Sequence, residues 1–224
     1  MIDPNSVLVM IPTYTGRPDM VCMGGVVQCA VAGLIRHHAF LPECTGPALA
    51  RNLCVNGFLR SPYEWLFFWD DDIGASPDDY AIVMDWARDA PPPLDQELHD
   101  AATLAGDAKI PLMVAAEYAR KSEGAPPARL GLGFARIHRS VFGLLDALNL
   151  ESGEARIDSF QYQGHMVADY FLSGCSEHRW LGEDTGFFSL CRLAGVHPRV
   201  EQRCKLDHVG GRRHWPYLPF SGAQ

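Results

Sequence analysis

Three consecutive aspartates, Asp70, Asp71 and Asp72, directly follow the apolar run of residues 65–69. Carboxylates this close together repel one another, and the repulsion raises their pKa values. A bound divalent cation removes that penalty. Hard oxygen ligands suit Mg²⁺ or Mn²⁺, which commonly bridge carboxylates to substrate phosphates. The alternative is a solvated acidic turn, but the position after an apolar run favours a metal site.

The elements that must position these carboxylates are predicted from apolar runs and helix-start signals. Residues 7–11, 65–69, 110–116, 130–137 and 196–205 are predicted to be strands. Residues 20–37, 45–59, 76–88, 140–150 and 183–193 are predicted to be helices. Strands that alternate with helices predict an α/β fold, with a largely parallel sheet and helices on both faces.

Two of the predicted strands end in polar clusters. Thr13, Tyr14 and Thr15 follow the first strand, and the aspartate triplet follows the second. In open α/β sheets, ligands bind beyond the carboxyl ends of the strands. The sequence therefore predicts a ligand site at that edge of the sheet.

Six short motifs, in order over about residues 7–210, resemble those of GT-A glycosyltransferases, most closely the nucleotide-sugar-dependent family 2 type. The aspartate triplet resembles the DxD motif, and the pair Glu183-Asp184 resembles the ED motif. The six motifs are Ile11-Pro12-Thr13-Tyr14, Ala50-Arg51-Asn52, Phe68-Trp69-Asp70-Asp71-Asp72-Ile73, Gly131-Leu132-Gly133-Phe134 followed by Arg139, Gly182-Glu183-Asp184 followed by Phe187, and Asp207-His208-Val209-Gly210. The resemblance implies a Rossmann-like GT-A fold.

The resemblance also implies a role for each motif. A nucleotide, such as uridine diphosphate, is expected to bind to Pro12, Thr13, Tyr14, Arg51, Asn52 and Asp70. The donor sugar is expected beside Asp71, Gly131, Gly133 and Phe134. Mn²⁺ or Mg²⁺ is expected on Asp70, Asp72 and His208, where it would stabilise the leaving diphosphate. Asp184, with Glu183 in reserve, is expected to deprotonate an acceptor hydroxyl, which fits an inverting reaction.

Each of these assignments has a structural alternative. Arg51 could be a surface ion-pair partner, and Thr13 could belong to a packed turn. The glycines of 131–133 could form a β-bulge, and His208 could be a strand-end histidine bonded to backbone. Glu183 and Asp184 could simply cap their helix. The sequence leaves these alternatives open.

The composition bounds the class of protein. The chain has 224 residues, 47% hydrophobic and 21% charged, with a formal net charge of −8. These values exclude overall disorder and disfavour a nucleic-acid binder that works through global charge. The seven cysteines contain no CxxC pair, which argues against a disulfide framework or a zinc ribbon. We expect one domain over residues 1–210 with a tail of 211–224, no membrane span, and a cytoplasmic location.

Three functions compete at this point. Glycosyl transfer is favoured; nucleotidyl transfer and a non-catalytic nucleotide- or glycan-binding module are the alternatives. The expected partner is a nucleotide-sugar donor, while the acceptor stays open between a glycan, a lipid-linked sugar, a small molecule, a protein and a hydroxylated base in nucleic acid. Tail residues Arg212, Arg213, His214 and Trp215 could hold phosphate and stack a base, or close over the donor diphosphate.

Overall fold

The structure is a computed structural model, and it describes residues 2–13, 16–42, 46–85, 111–117, 131–151, 157–176 and 179–209. After a short 3₁₀ turn at Pro4–Ser6, the helices are α1 (Met20–Val31), α2 (Pro47–Leu59), α3 (Pro77–Met84), α4 (Arg139–Glu151) and α5 (Glu183–Leu193). The strands are β1 (Val7–Pro12), β2 (His37–Leu41), β3 (Trp65–Trp69), β4 (Ile73–Gly74), β5 (Met113–Ala116), β6 (Phe134–His138), β7 (Ser159–Tyr162), β8 (His165–Ala168), β9 (Gly174–Ser176), β10 (Arg179–Leu181), β11 (Arg199–Glu201) and β12 (Asp207–His208).

One six-stranded sheet organises the described residues, in the order β11-β5-β6-β3-β1-β2. The pairs β1–β2, β1–β3 and β11–β5 are parallel, whereas β6 runs antiparallel to both of its neighbours. The remaining strands form the two-stranded pairs β4–β12, β7–β8 and β9–β10. The predicted α/β class with a largely parallel sheet is confirmed, and the arrangement is consistent with a Rossmann-like GT-A fold.

Strand β3 shows how the sheet builds a core on each face. All five of its residues are buried, because helices cover both sides. Trp65, Phe67 and Trp69 pack with residues of α1 and α3 on one face. Leu66 and Phe68 pack with residues of α2, α4 and α5 on the other. The continuous apolar run therefore carries the aspartate triplet to the end of a rigid central strand.

The first helix ends earlier than predicted. It stops at Val31, whereas the predicted helix ran to residue 37, and the chain continues into β2, for which the sequence analysis predicted no strand. Gly33 has a φ of +74°, and its N–H donates to the carbonyl of Ala30 at 3.0 Å. The N–H of Leu34 donates to the carbonyl of Cys29 at 2.9 Å. This is a Schellman stop, which glycine favours because it adopts a positive φ without strain.

Several other predictions can be compared with the structure. Strand 65–69 and helix 183–193 match the observed bounds, and α2 follows its predicted start signal. Within 110–116, 130–137 and 196–205, the observed strands are shorter than the predicted ones. The four cysteines of α1, α2 and α5 are buried and form no disulfide within the described part of the chain. In the part of the chain described, no helix is both long and apolar enough to cross a membrane. The tail of 211–224 lies outside the described residues.

Arg139 lies away from the glycine-rich motif with which the sequence analysis grouped it. It stands at the far end of β6, and its guanidinium binds the backbone at the end of α2. Arg139 Nη2 donates to the carbonyls of Phe58, at 3.0 Å, and of Ser61; Nη1 reaches Leu59 O at 2.9 Å, and Nε reaches Tyr63 O at 2.8 Å. A cation that binds the last carbonyls of a helix stabilises its C-terminus.

We expect Arg139→Met to lower the free energy of unfolding by about 2–3 kcal/mol, because several charge-assisted hydrogen bonds to the backbone are lost together. Urea denaturation measures the change. The exposed Arg60, at the end of the same helix, provides the matched control Arg60→Met, for which we expect almost no change. An unchanged stability with a lost ligand-binding activity would place Arg139 in the site instead.

Candidate functional site

The glycine-rich segment 131–133 and the aspartate triplet meet at one edge of the sheet. Because β6 runs antiparallel to β3, the start of β6 lies beside the end of β3, with Phe134 opposite Trp69. The N–H of Asp70 donates to the carbonyl of Gly133 at 2.7 Å. This is the edge where β1 also ends, so three of the predicted motifs share it.

The turn that carries the triplet is fixed by its neighbours. Trp69 Nε1 donates to the carbonyl of Ile73 at 2.7 Å, which closes the turn from within the core. The N–H of Asp19, the residue before α1, donates to the carbonyl of Asp71 at 2.7 Å. These contacts fix the backbone of the turn from which the three carboxylates project.

Arg51 joins this edge from α2. Its side chain is 4% exposed, and Nη2 lies 3.2 Å from Asp70 Oδ2. Nε lies 3.5 Å from Asp184 Oδ1 and 4.0 Å from Glu183 Oε1. Arg51 Cζ lies 5.2 Å from the ring centroid of Phe68, so the guanidinium also rests on the core. The alternative of a surface ion pair is wrong: Arg51 is a buried cation among carboxylates from two separate elements.

Asp184 stands at the start of α5 but does not cap it. The N-cap is Gly182, and no side chain makes a cap hydrogen bond there. Asp184 Oδ2 instead accepts from the N–H of Leu132 at 3.2 Å, across to the glycine-rich turn. The simple capping alternative is therefore wrong for Asp184. The ED pair is brought to the same edge of the sheet as the aspartate triplet.

The charges of this cluster influence one another. Burial raises the pKa of Asp70, the nearby Arg51 opposes that rise, and the carboxylates of Asp184 and Asp72 add to it. Burial likewise raises the pKa of Asp184; Arg51 and the Leu132 N–H oppose the rise, while Glu183 adds to it. One guanidinium thus offsets part of the desolvation cost and of the repulsion between acids, and additional positive charge would stabilise the ionised cluster.

His208 reaches the triplet through strand pairing. In the β4–β12 pair, His208 lies opposite Ile73, and the N–H of Val209 donates to the carbonyl of Asp72 at 3.0 Å. His208 Nε2 lies 3.6 Å from Asp72 Oδ1, and both side chains are mostly buried. Two of the three predicted metal ligands are thus adjacent, although they are far apart in sequence.

The third predicted ligand, Asp70, is turned towards Arg51. Among the residues that the structure describes, no group of three or more His, Cys, Asp or Glu side chains is arranged to hold a metal ion. The pair of Asp72 and His208 nevertheless offers a carboxylate oxygen and an imidazole nitrogen, a donor set that suits Mn²⁺. Their separation of 3.6 Å allows both to contact one ion. Metal binding stays a prediction.

Asn52 has an internal structural role. It is 2% exposed, and its Nδ2 donates to Asp169 Oδ1 at 2.6 Å. Its Oδ1 accepts from the N–H groups of Tyr170, at 2.9 Å, and Phe171, at 3.2 Å. These contacts fasten the segment after β8 to α2, immediately beside Arg51. They favour a structural role over the predicted contact with a nucleotide, which no observation tests.

The remaining predicted site residues differ in exposure. Pro12 ends β1, and Thr13 is 1% exposed with its Oγ1 unpaired among the described residues. Tyr14 lies outside the described residues. Phe134 is fully buried, with its ring centroid 4.9 Å from that of Phe67 and 4.9 Å from that of Trp69. The Phe134 side chain therefore belongs to the core, so only its backbone could lie beside a donor sugar, and that placement stays a prediction.

Asp169 is a residue of this region that the sequence analysis did not identify. Burial raises the pKa of its carboxyl, the hydrogen bond from Asn52 opposes the rise, and Asp158 adds to it. The sequence of 151–179 contains no periodic pattern or motif that places this acid beside α2. Only the tertiary contact with Asn52 reveals its position.

No protein-family model matches the sequence, and no curated protein matches it. Among solved structures, the fold is similar to that of A197 from STIV, with a TM-score of 0.50 and 16% sequence identity over 90% of this chain and 84% of that one. A weaker match is to a glycosyltransferase involved in the glycosylation of the major capsid of PBCV-1, with a TM-score of 0.35 and 13% identity over 65% of this chain and 68% of that one. The first likeness concerns the fold alone, and the second is too weak to support an argument about function.

Proposed function

We propose that the protein is a metal-dependent glycosyltransferase, which moves a sugar from a nucleoside diphosphate sugar to an acceptor hydroxyl. One observation carries the proposal. Five polar groups from separate parts of the chain are linked by direct contacts at one edge of the sheet. They are Arg51, the aspartate triplet, the 131–133 turn, the Glu183-Asp184 pair and His208. Packing alone does not require so many partly buried acids at one place.

The two ends of this cluster suit different tasks. Asp72 and His208 would hold Mn²⁺ or Mg²⁺, a cation that stabilises the negative charge developing on a departing diphosphate. The backbone of 131–133, which lies beside Asp70, would approach the donor sugar closely because glycine has no side chain. In this proposal the nucleotide is a uridine diphosphate placed beyond the end of β1, near Thr13.

Asp184 suits the role of the base. Its carboxylate lies on α5 rather than on the triplet turn, and its side chain is 25% exposed. Oδ1 is buried beside Arg51, so in this proposal the acceptor hydroxyl approaches Oδ2. A base on one side of the sugar and a leaving diphosphate on the other give direct displacement with inversion at the anomeric carbon. Glu183, its neighbour, is the alternative base.

The test is incubation with a panel of nucleotide sugars, Mn²⁺ and a panel of hydroxyl acceptors. We expect acceptor-dependent release of a nucleoside diphosphate together with a glycosylated product, both measured by chromatography. Release of pyrophosphate from a nucleoside triphosphate and a sugar phosphate would indicate a nucleotidyltransferase instead. Nucleotide-sugar binding in calorimetry without turnover, for any acceptor, would indicate a binding module.

A further inference from the structure

Arg51 occupies the centre of the acidic cluster. It belongs to α2, yet it contacts Asp70 at the end of β3 and both acids at the start of α5. Its Nη1 also lies 3.5 Å from the carbonyl of Leu132 in the glycine-rich turn. A single buried guanidinium therefore contacts both sides of the candidate site.

These contacts direct the guanidinium towards protein groups. Arginine presents its donors in a rigid planar fork. Here the fork donates hydrogen bonds to Asp70 and to the Leu132 carbonyl, which sets its orientation, and Nε then lies within ion-pair distance of Asp184. Phe68 supports the guanidinium from the core side, with Arg51 Cζ 5.2 Å from its ring centroid. Such a side chain is suited to orient carboxylates, because moving it to reach a nucleotide would remove the cation from a cluster of partly buried acids.

We propose that Arg51 is a positioning residue that couples the two acidic halves of the site, and that it is not a nucleotide ligand. It holds the carboxylates of Asp70 and Asp184 at fixed places and offsets the repulsion between them. Any effect of Arg51 on turnover is then transmitted through Asp184. This last consequence rests on the proposed glycosyl transfer, whereas the coupling between the carboxylates does not.

A kinetic double-mutant cycle tests the catalytic part. We expect Arg51→Met to lower kcat by about 10- to 100-fold, with little change in the KM for the donor, because a mispositioned base slows only the chemical step. Arg51→Lys should recover part of kcat, because lysine keeps the positive charge but lacks the planar set of guanidinium donors. In an Asp184→Asn background, Arg51→Met should cost almost nothing further. The proposal would be overturned if the losses of kcat in Arg51→Met and Asp184→Asn multiplied in the double variant. It would also be overturned if Arg51→Met raised the KM for the donor and left kcat unchanged.

Thermal unfolding tests the coupling without any activity. Arg51→Met leaves two partly buried carboxylates without their cation, and we expect Tm to fall by about 5–10 °C. Adding Asp184→Asn should recover part of that loss, because one of the two repelling charges is removed. The control Arg60→Met, an exposed arginine at the end of the same helix, should leave Tm unchanged. If Arg51→Met does not fold, the same comparison of Tm can be made between Arg51→Lys and the double variant that also carries Asp184→Asn.

The kinetic cycle and the thermal unfolding distinguish the proposed glycosyl transfer from the proposed coupling by Arg51. A protein without transfer activity that shows the expected recovery of Tm would overturn the proposed function and support the coupling. A Tm that falls further when Asp184→Asn is added would overturn the coupling, whatever the enzyme does. Binding of uridine diphosphate in the presence of Mn²⁺ is measured by calorimetry. If the enzyme is active and Arg51→Met weakens this binding, Arg51 binds the nucleotide directly and the coupling proposal is overturned.

Discussion

Asp72→Ala is expected to abolish turnover. Asp72 is the carboxylate that lies next to His208, at 3.6 Å, and the proposed cation needs both. A Lewis acid at a departing diphosphate supplies several kcal/mol, and about 1.4 kcal/mol corresponds to a factor of ten in rate. We therefore expect kcat to fall by at least about a thousandfold, and metal-dependent binding of the nucleotide, measured by calorimetry, to be lost.

The fold should survive this change. The hydrogen bond from Val209 to residue 72 uses the backbone carbonyl, so β12 can still pair with β4 in the alanine variant. Asp78 is exposed in the first turn of α3, and Asp78→Ala is a matched control that should keep full activity. His208→Ala should raise the metal concentration needed for half-maximal rate. Full wild-type activity in excess chelator would contradict the proposed metal dependence.

The sequence predicts most of the fold because its signals are local. The apolar run of β3, the proline at the start of α2 and the capping box of α3 each specify an element within a few residues. Strand β2 was missed because its residues alternate between partly buried and exposed and form no apolar run, so no element was predicted beyond residue 37. The stop signal was present in Gly33, but a lone glycine is a weaker indication than its positive φ in the structure.

Predicting the site from the sequence was less complete, because burial and pairing decide the role of a polar residue. The contacts of Asp70 and Asp184 bring the aspartate triplet, the glycine-rich turn and the Glu183-Asp184 pair to one edge of the sheet, whereas Arg139 lies at the other end of β6. No local pattern could reveal that Asn52 fastens the segment after β8, or that Arg139 binds the end of α2. Those roles depend on contacts between residues that are far apart along the chain.

Asp184→Asn is expected to lower kcat by about 10² to 10⁴ while leaving donor affinity nearly intact, because only the transfer of the acceptor proton is lost. The amide oxygen can still accept the hydrogen bond from the Leu132 N–H, so the glycine-rich turn keeps its contact with α5. Steady-state kinetics with saturating acceptor measure the change. Glu183→Gln is the comparison, since that side chain is next to Asp184 and lies farther from Arg51.

The pH dependence provides a second readout of the same residue. A base must be ionised to act, and burial raises the pKa of Asp184 above its ordinary value. The wild-type kcat should therefore rise with pH through this raised pKa. The acidic limb of the pH profile of kcat should lie above the pH range of an ordinary aspartate, and it should disappear in Asp184→Asn. If Glu183→Gln removes the limb and Asp184→Asn does not, the two acids exchange roles. If the limb persists in both variants, or if the product retains the anomeric configuration of the donor, neither acid serves as the base of a direct displacement.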